Sequence, residues 1–446
     1  MSELLPIVEG VVERAEPGEQ VEAYASRGSS TEVKAYSGEV ESFTSATSAG
    51  IGIRVIRDGR VGFAHAGTLD ASVIAETLAE ARDNVAFAEP DEWVGLSEPD
   101  GGTPITHDHW DDSVASLPTE AKIQMAIDLE AKVLGLDDRV TGVRSSMYSD
   151  STAEIALATS TGVRATDSGT GAYVSVSAMA KDGDDTQIAG GYDVNFGPAS
   201  LSIDKAADDA VHRVTRLLGA SQPQSGKLTL VLEPRMASSI IGIVVGMLNG
   251  ERVLKGTTPF LDRVGESIAS PLLTVLDDPT DGRSFGATSV DAEGQTCRVQ
   301  TLIDAGVLGG FQHNTYTGRR SGEGTTANAV RGYRSSPGVG AHAVITAPGE
   351  GTLDDIIAAV DNGVLVTSMS GLHSGVNAIS GDFSVGAEGL MIRNGELAEP
   401  FREATIASTV QKMLTNIVAV GADTEWQPGG SGPVSLAIAD VSLSGA

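Results

Sequence analysis

The sequence predicts an α+β fold, with N-terminal units of mixed helix and antiparallel sheet followed by a strand-rich C-terminal domain with a few helices. Three observations lead there. Residues 1–90 read as helix, hairpin-linked strands, helix, the order of an α+β unit. The 54 glycines mark many turns and follow no collagen period. At 446 residues, and roughly 100–200 residues per domain, the chain divides into two or three. Aromatic residues make up only 4%, so the core must rest on Val, Ile, Leu and Ala.

Leu4, Leu5, Val8, Val11 and Val12 recur at helical spacing, and Pro17-Gly18 ends that helix. Strands follow over 21–24, 32–37 and 50–56, and Asp58-Gly59 is the hairpin turn into a strand over 60–64. Ile74, Leu78, Ala81 and Val85 share one face of a helix over 69–87. Residues 89–118, rich in Pro, Gly and Asp, form a connection. A helix over 119–134 comes next, with Thr119 read as its N-cap. Strands alternate over 140–148, 154–160, 163–166 and 172–181. A helix over 201–218 aligns Ile203, Ala206, Ala210, Val214 and Leu217. The turn-rich stretch 219–226 is the best boundary signal, and places units at 1–100, 101–222 and 223–446. The last unit opens with a strand over 227–232 and an unusually apolar helix over 236–249. Short strands over 272–276, 298–303 and 341–346 follow. A helix over 353–362 is stopped by Gly363 as a C′ glycine, and a strand over 363–367 succeeds it.

Charge excludes some functions. Sixty acidic residues against 30 basic give a formal net charge of −30. Such a surface repels phosphate, so nucleic-acid binding and anionic membranes are disfavoured. The single cysteine, Cys297, allows no internal disulfide and no Cys-cluster zinc site, and reads as a reduced thiol of a cytoplasmic protein. The N-terminus has no basic region followed by an apolar core, and no apolar run approaches the ~20 residues that span a bilayer.

Few motifs carry chemistry. His107-Asp108-His109-Trp110-Asp111-Asp112 has metal-ligand residue types, but in a Pro/Gly-rich connection it reads as a solvated loop. No HExxH, GxSxG or complete Walker frame occurs. The informative stretch is 366–406. Gly371, Gly375 and Gly381 permit close backbone approach, and Asn394-Gly395 is a type I′ turn signal. It reads as a tight β corner or as a loop facing a substrate or partner, with His373, Ser374, Asn377 and Asp382 as candidate substrate-binding side chains.

Several segments together resemble the TldE/PmbA branch of the TldD/PmbA proteins. They are Leu272 to Pro279 (LLTVLDDP), Val290 to Gly294 (VDAEG), Leu302 to Leu308 (LIDAGVL), Ser374-Gly375-Val376-Asn377 and Gly381-Asp382-Phe383-Ser384. Ser37 to Ser42 and Gly50 to Val55 fit as well. The resemblance implies a cytosolic metallopeptidase in which a TldD-type subunit holds zinc on HExxxH plus a distal Cys, and a TldE-type subunit pairs with it. On a rough alignment the HExxxH positions fall near Gly242, Ile243 and Met247, and the distal Cys falls within 427–432. None of these can bind zinc, so no cofactor, metal site or catalytic residue is assigned to this chain. Gly242 and Gly246, four apart, share a helix face, and with Met247 they are expected to pack in the core or at a subunit interface.

The expected function is that of a zinc-lacking subunit paired with an HExxxH paralogue that supplies the zinc and acts on unfolded or modified peptides. Self-association is expected when that partner is absent. Two alternatives stand beside it. One is a stand-alone module that captures peptides by strand addition. The other is an autonomous hydrolase using Ser374 or His373 with Asp382.

Overall fold

The computed structural model describes residues 3–445 and is built on two six-stranded sheets. The first half runs α1 (Leu5–Val12), β1 (Gln20–Tyr36), β2 (Glu39–Arg57), β3 (Arg60–Ala66), α2 (Ala71–Val85), the single turn α3 (Ser113–Ser116) and α4 (Thr119–Leu136). It continues with β4 (Val140–Thr159), β5 (Arg164–Asp182), β6 (Asp185–Asn195) and α5 (Ile203–Thr215). These strands form one antiparallel sheet in the order β3-β2-β1-β4-β5-β6. The helices cover it in two places. Val8, Ile74 and Leu78 pack on the β1–β3 end, while Leu129, Val133 and Val214 pack on the β4–β6 end.

The α+β class holds, but the strands are longer than the pattern implied. The runs at 21–24 and 32–37 belong to one strand, as do those at 140–148 and 154–160. The polar stretch between them stays extended because β1 lies between β2 and β4. Gly28, for example, is matched with Ser48 on one side and Ala153 on the other. Backbone pairing supplies there what apolar alternation does not. The β1–β2 turn, Ser37-Gly38, has φ of 55° and 75°, and Asp58-Gly59 has 51° and 71°, both in the left-handed region. Strand β6 gave no sequence signal, because Gly190 and Gly191 interrupt its alternation. Gly191 is needed there: a Cβ would collide with the Ala206 carbonyl of α5. Thr119 is the first helical residue of α4 rather than its cap. Pro118 occupies the cap position, without a side-chain bond.

The second half begins with β7 (Gly226–Leu232), α6 (Pro234–Met247) and α7 (Gly250–Leu254). A small sheet follows, made of β8 (Val275–Asp277), β9 (Gln300–Asp304), β10 (Val307–Leu308) and, after α8 (Thr315–Ser321) and the pair β11 (Ala329–Val330) and β12 (Gly338–Val339), β13 (Val344–Thr346). The rest is α9 (Leu353–Ala358), β14 (Asn362–Ser370), α10 (Leu372–Gly375), β15 (Asp382–Arg393), β16 (Glu396–Thr409), α11 (Val410–Thr415), β17 (Ile417–Val420) and β18 (Leu436–Ser444). The second large sheet has the order β16-β15-β14-β7-β18-β17, with β16 also pairing β18. Strand β7 is parallel to β14 and antiparallel to β18. Gly363 does not cap α9, which ends at Ala358. It lies within β14, where a Cβ would stand 2.6 Å from the Thr229 carbonyl, so the glycine serves strand contact. Among the described residues no helix is long and apolar enough to cross a membrane.

Two clusters of charge fasten the halves together. Glu22 of β1 and Arg54 of β2 are cross-strand partners, and Arg54 donates to both oxygens of Glu22 at 3.1 and 2.9 Å. From the second half, Arg331 donates to Glu22 at 2.7 Å, and Glu293 accepts from Arg54 at 3.3 Å. All four side chains are 9% exposed or less. The second cluster joins α5 to the start of α6. Arg213 and Arg216 both reach Glu233, and Arg235 reaches Asp209 at 3.1 Å.

Burial alone would raise the Glu22 carboxyl, but the charges of Arg331 and Arg54 outweigh it and hold it below its ordinary 4.5. Burial likewise opposes Arg213 and Arg216 at Glu233, and again the guanidinium groups prevail. A depressed folded value stabilises above the unfolded value and loses that effect as pH falls through the folded one. The junction should therefore loosen as pH drops below about 4.5, which tryptophan fluorescence will register. Arg331→Met leaves Glu22 with one partner and should cost about 3–5 kcal/mol in a urea titration. An unchanged midpoint would remove the cluster from any structural role.

Candidate functional site

One groove lies on the face of the first sheet that α4 and α5 leave bare. It holds about 810 Å³. Ser149 and Ser151 of β4, and Gly169, Gly171 and Tyr173 of β5, form its floor, while Phe285 and Pro428 of the second half close over it. Strand geometry explains the floor. Successive residues alternate faces, so Tyr148 and Asp150 point to the helices, where Lys122 meets Asp150 at 2.5 Å, while the intervening serines line the groove. Glu32 and Asp167 are in the lining, which includes no Lys or Arg.

His109, expected in a solvated loop, is instead an anchor of this groove. It is 8% exposed, and its Nε2 is 2.9 Å from the Gly282 carbonyl. Its ring stacks on Phe196 at 4.1 Å, which in turn packs on Phe285 at 4.6 Å. His107 stacks on the other side of His109. The neighbouring carboxylates face elsewhere: Asp111 accepts from the Ser113 amide and Asp112 from the Trp110 indole. Stacking brings the two histidines together. Nothing in the sequence pattern paired His109 with Phe196 and Phe285, which come from three distant segments.

The turn 427–431 that carries Pro428 also touches α6. The Gln427 amide donates to the Ser431 carbonyl at 2.9 Å, and the Tyr192 hydroxyl of β6 bonds the Gln427 side chain. Arg235, at the start of α6, lies 4.1 Å from the Tyr192 ring centre. The hydroxyls of Ser238 and Ser431 stand 2.9 Å apart. The structure thus brings together the helix and the distal segment named in the sequence comparison above. The donors there do not fit zinc. Gly242 and Gly246 offer no side chain, and the two serine hydroxyls bond each other. Met247 is 1% exposed in the core, on a different face from the exposed Gly242. Among the described residues no group of three His, Cys, Asp or Glu side chains is placed to hold a metal.

Inside the chain, Gly242 and Gly246 pack against nothing: a Cβ at either meets no atom within 4 Å. Ile240, Ile241, Val244 and Val245 form the buried face of α6. The two glycines are on its open face.

Loop 370–384 lies apart from the main groove and shares none of its lining residues. His373, Ser374, Asn377 and Asp382 are all exposed. Ser374, Asn377 and Asp382 line an open trough of about 590 Å³ with Arg252 and Ile379. The Ser374 hydroxyl donates to the Gly371 carbonyl at 3.3 Å, and Asp382 accepts from Ser380 at 2.6 Å. Asn377 accepts from the amides of Ile379 and Ser380, so its side chain shapes the loop. Among the described residues no hydrogen bond joins Ser374, His373 and Asp382. Cys297 is buried, and burial pushes its thiol well up, which makes it a poor nucleophile.

Profiles of one family match three stretches of the chain: the PmbA/TldA metallopeptidase domain 1 over 21–85, its central domain over 112–218 and its C-terminal domain over 225–445. The metalloprotease PmbA of Escherichia coli O157:H7 is 26% identical over 395 residues, 87% of this chain and 84% of that protein. A metalloprotease TldD homologue of Buchnera aphidicola is also 26% identical, covering 85% and 80%. The crystal structure of TldE from Thermococcus kodakarensis superposes with a TM-score of 0.89 at 24% identity, over 99% of each chain, and so shares the fold.

The open glycine face yields a prediction. Gly246→Leu should not overpack the isolated chain. Removing a helical glycine should stabilise it by about 0.5–1 kcal/mol in chemical denaturation. A loss of stability would mean that the face is covered within the chain.

Proposed function

The chain belongs to the PmbA/TldA metallopeptidase family, and on that premise we propose that it is a TldE/PmbA-type subunit that lacks zinc ligands and works within a heteromeric cytosolic zinc metallopeptidase acting on unfolded or modified peptides. The observation that carries this reading is the donor-poor meeting of α6 with turn 427–431. A hydrolytic zinc site needs about three protein ligands, a vacant position for water and a carboxylate base. On the alignment above, the α6 positions are Gly242, Ile243 and Met247, and where α6 meets the turn the hydroxyls of Ser238 and Ser431 bond each other.

A TldD-type paralogue with HExxxH would supply the zinc, whose role is to activate water and polarise the scissile carbonyl. This chain's own residues would hold substrate. Tyr173, Phe196 and Phe285 offer ring faces to apolar side chains, and Ser149 and Ser151 offer hydroxyls to an extended backbone, whose amide and carbonyl groups need partners once desolvated. The exposed face of α6 is the proposed contact for the partner, because it is the one place on that helix where a second backbone can come close. Loop 370–384 would border the shared cleft. In the second reading, a stand-alone peptide-binding module, the same groove would act without a partner.

The test is co-expression with the HExxxH paralogue, followed by size measurement, zinc analysis and peptidase assay. The pure chain should hold no stoichiometric zinc and cleave nothing, while the complex should hold zinc and cleave unfolded peptide. Chelator-insensitive cleavage by the pure chain would overturn the proposal. Within an active complex, the double change His373→Ala and Asn377→Ala should reduce turnover and leave assembly intact. Full activity would confine loop 370–384 to a structural corner.

A further inference from the structure

Where the two halves meet there is a second hollow, of about 390 Å³, which shares no residue with the groove over β4 and β5. The first half supplies Arg54 of β2 and Val61 of β3 to its wall. The second half supplies Leu254 of α7, the adjacent Lys255, and Tyr316 and Arg320 of α8. Three cations therefore line it, in a chain where acidic residues outnumber basic ones two to one.

The donors on this wall are not used up inside the chain. Arg54 is 8% exposed. It gives Nε and Nη2 to Glu22 and Nη2 also to Glu293, while its Nη1 donates to no described residue. A free donor on so buried a cation, in the wall of a hollow, is a strong site for a ligand oxygen. Arg320 forms no ion pair among the described residues. It donates to the hydroxyl of Tyr316, one helical turn before it, at 2.9 Å. The rest of the wall offers apolar surface, from Val61, Val94, Leu254 and Pro337.

Charge selects the ligand class. Glu22 and Glu293 offset Arg54 and Arg331, and Glu251 offsets Lys255 at 3.3 Å, which leaves the charge of Arg320 in excess. Asp91 accepts from Tyr316 at 2.8 Å but lines a neighbouring hollow that shares Arg320. One excess positive charge suits a single carboxylate better than a phosphate dianion. The volume lies near the lower end of the roughly 300–1,000 Å³ of small-molecule sites, room for one ring or a branched chain. We propose that this hollow binds a small organic monocarboxylate, its oxygens held by Arg54 Nη1 and the Arg320 guanidinium and its apolar body set against Val61, Val94 and Leu254. Because both halves build the wall, the occupant ties them together beside the Glu22 cluster. The site is separate from the proposed substrate groove and needs no catalytic partner.

The experiment is calorimetric titration and thermal melting of the purified full chain with phenylacetate, isovalerate, phenylacetamide and inorganic phosphate. At least one of the two acids should bind once per chain and raise the melting temperature. Phenylacetamide keeps the shape of phenylacetate without its charge, and should bind about tenfold more weakly or worse. Phosphate should also bind more weakly than the acids. Arg54→Lys would remove Nη1 but would also break the buried cluster, so the variants are Arg320→Gln and Leu254→Glu. Arg320 is exposed, and Arg320→Gln should keep the ligand-free melting temperature while weakening acid binding about tenfold. Leu254→Glu sets a carboxylate inside the hollow and should abolish it. Absence of binding by both acids would overturn the proposal. So would equal binding of acid and amide, phosphate binding more tightly than either acid, or acid binding that survives both changes.

Discussion

Glu22 accepts hydrogen bonds from two arginines that arrive from opposite halves of the chain, Arg54 across the first sheet and Arg331 from beyond residue 300. Taking such groups out of water costs several kcal/mol per ion, and their mutual attraction roughly offsets it. The cluster therefore contributes more to specificity than to net stability. A one-residue slip between β1 and β2 would carry Arg54 to the other face and leave Glu22 buried and unpaired. A displaced second half would strand Arg54, Glu22 and Glu293 alike. The groove between the sheet and Phe285 exists only in the docked arrangement that this cluster selects.

The fold was legible wherever local chemistry and tertiary context agreed. The helix faces of Val8, Ile74 and Ala210 and the turns at Asp58-Gly59 and Asn394-Gly395 follow from spacing and from left-handed φ values. Strand lengths were not legible. Residues 26–31 and 149–153 are mostly small and polar with no apolar alternation, and neighbours on both sides keep them extended. Gly363 and Gly191 were misread or passed over for one reason. A glycine required by the close approach of another backbone looks, in sequence, like a glycine that ends an element.

The site was legible in one respect and hidden in another. The resemblance drew attention to α6 and to the segment at 427–432, and Ser238 of the one meets Ser431 of the other. Along α6, Gly242 is exposed and Met247 is core. The aromatic stack was beyond sequence reasoning. His109, Phe196 and Phe285 are separated by more than eighty residues at each step, and no periodicity links them. His109 resembled a metal ligand by type and a solvated loop residue by context; it lies in a loop, but buried and stacked on Phe196.

The order of strands in the second sheet also bears on how the chain is made. Strand β7, the first of that half, is flanked by β14 and β18, both of which follow it by more than a hundred residues. The first sheet is complete by Asn195 and can close while synthesis continues. The second must wait, with β7 unpaired on one side for some two hundred residues of elongation. Until Glu293 and Arg331 have been made, Glu22 and Arg54 have only each other. Nascent chains arrested before Glu293 would carry a finished first sheet with an unsealed charged face.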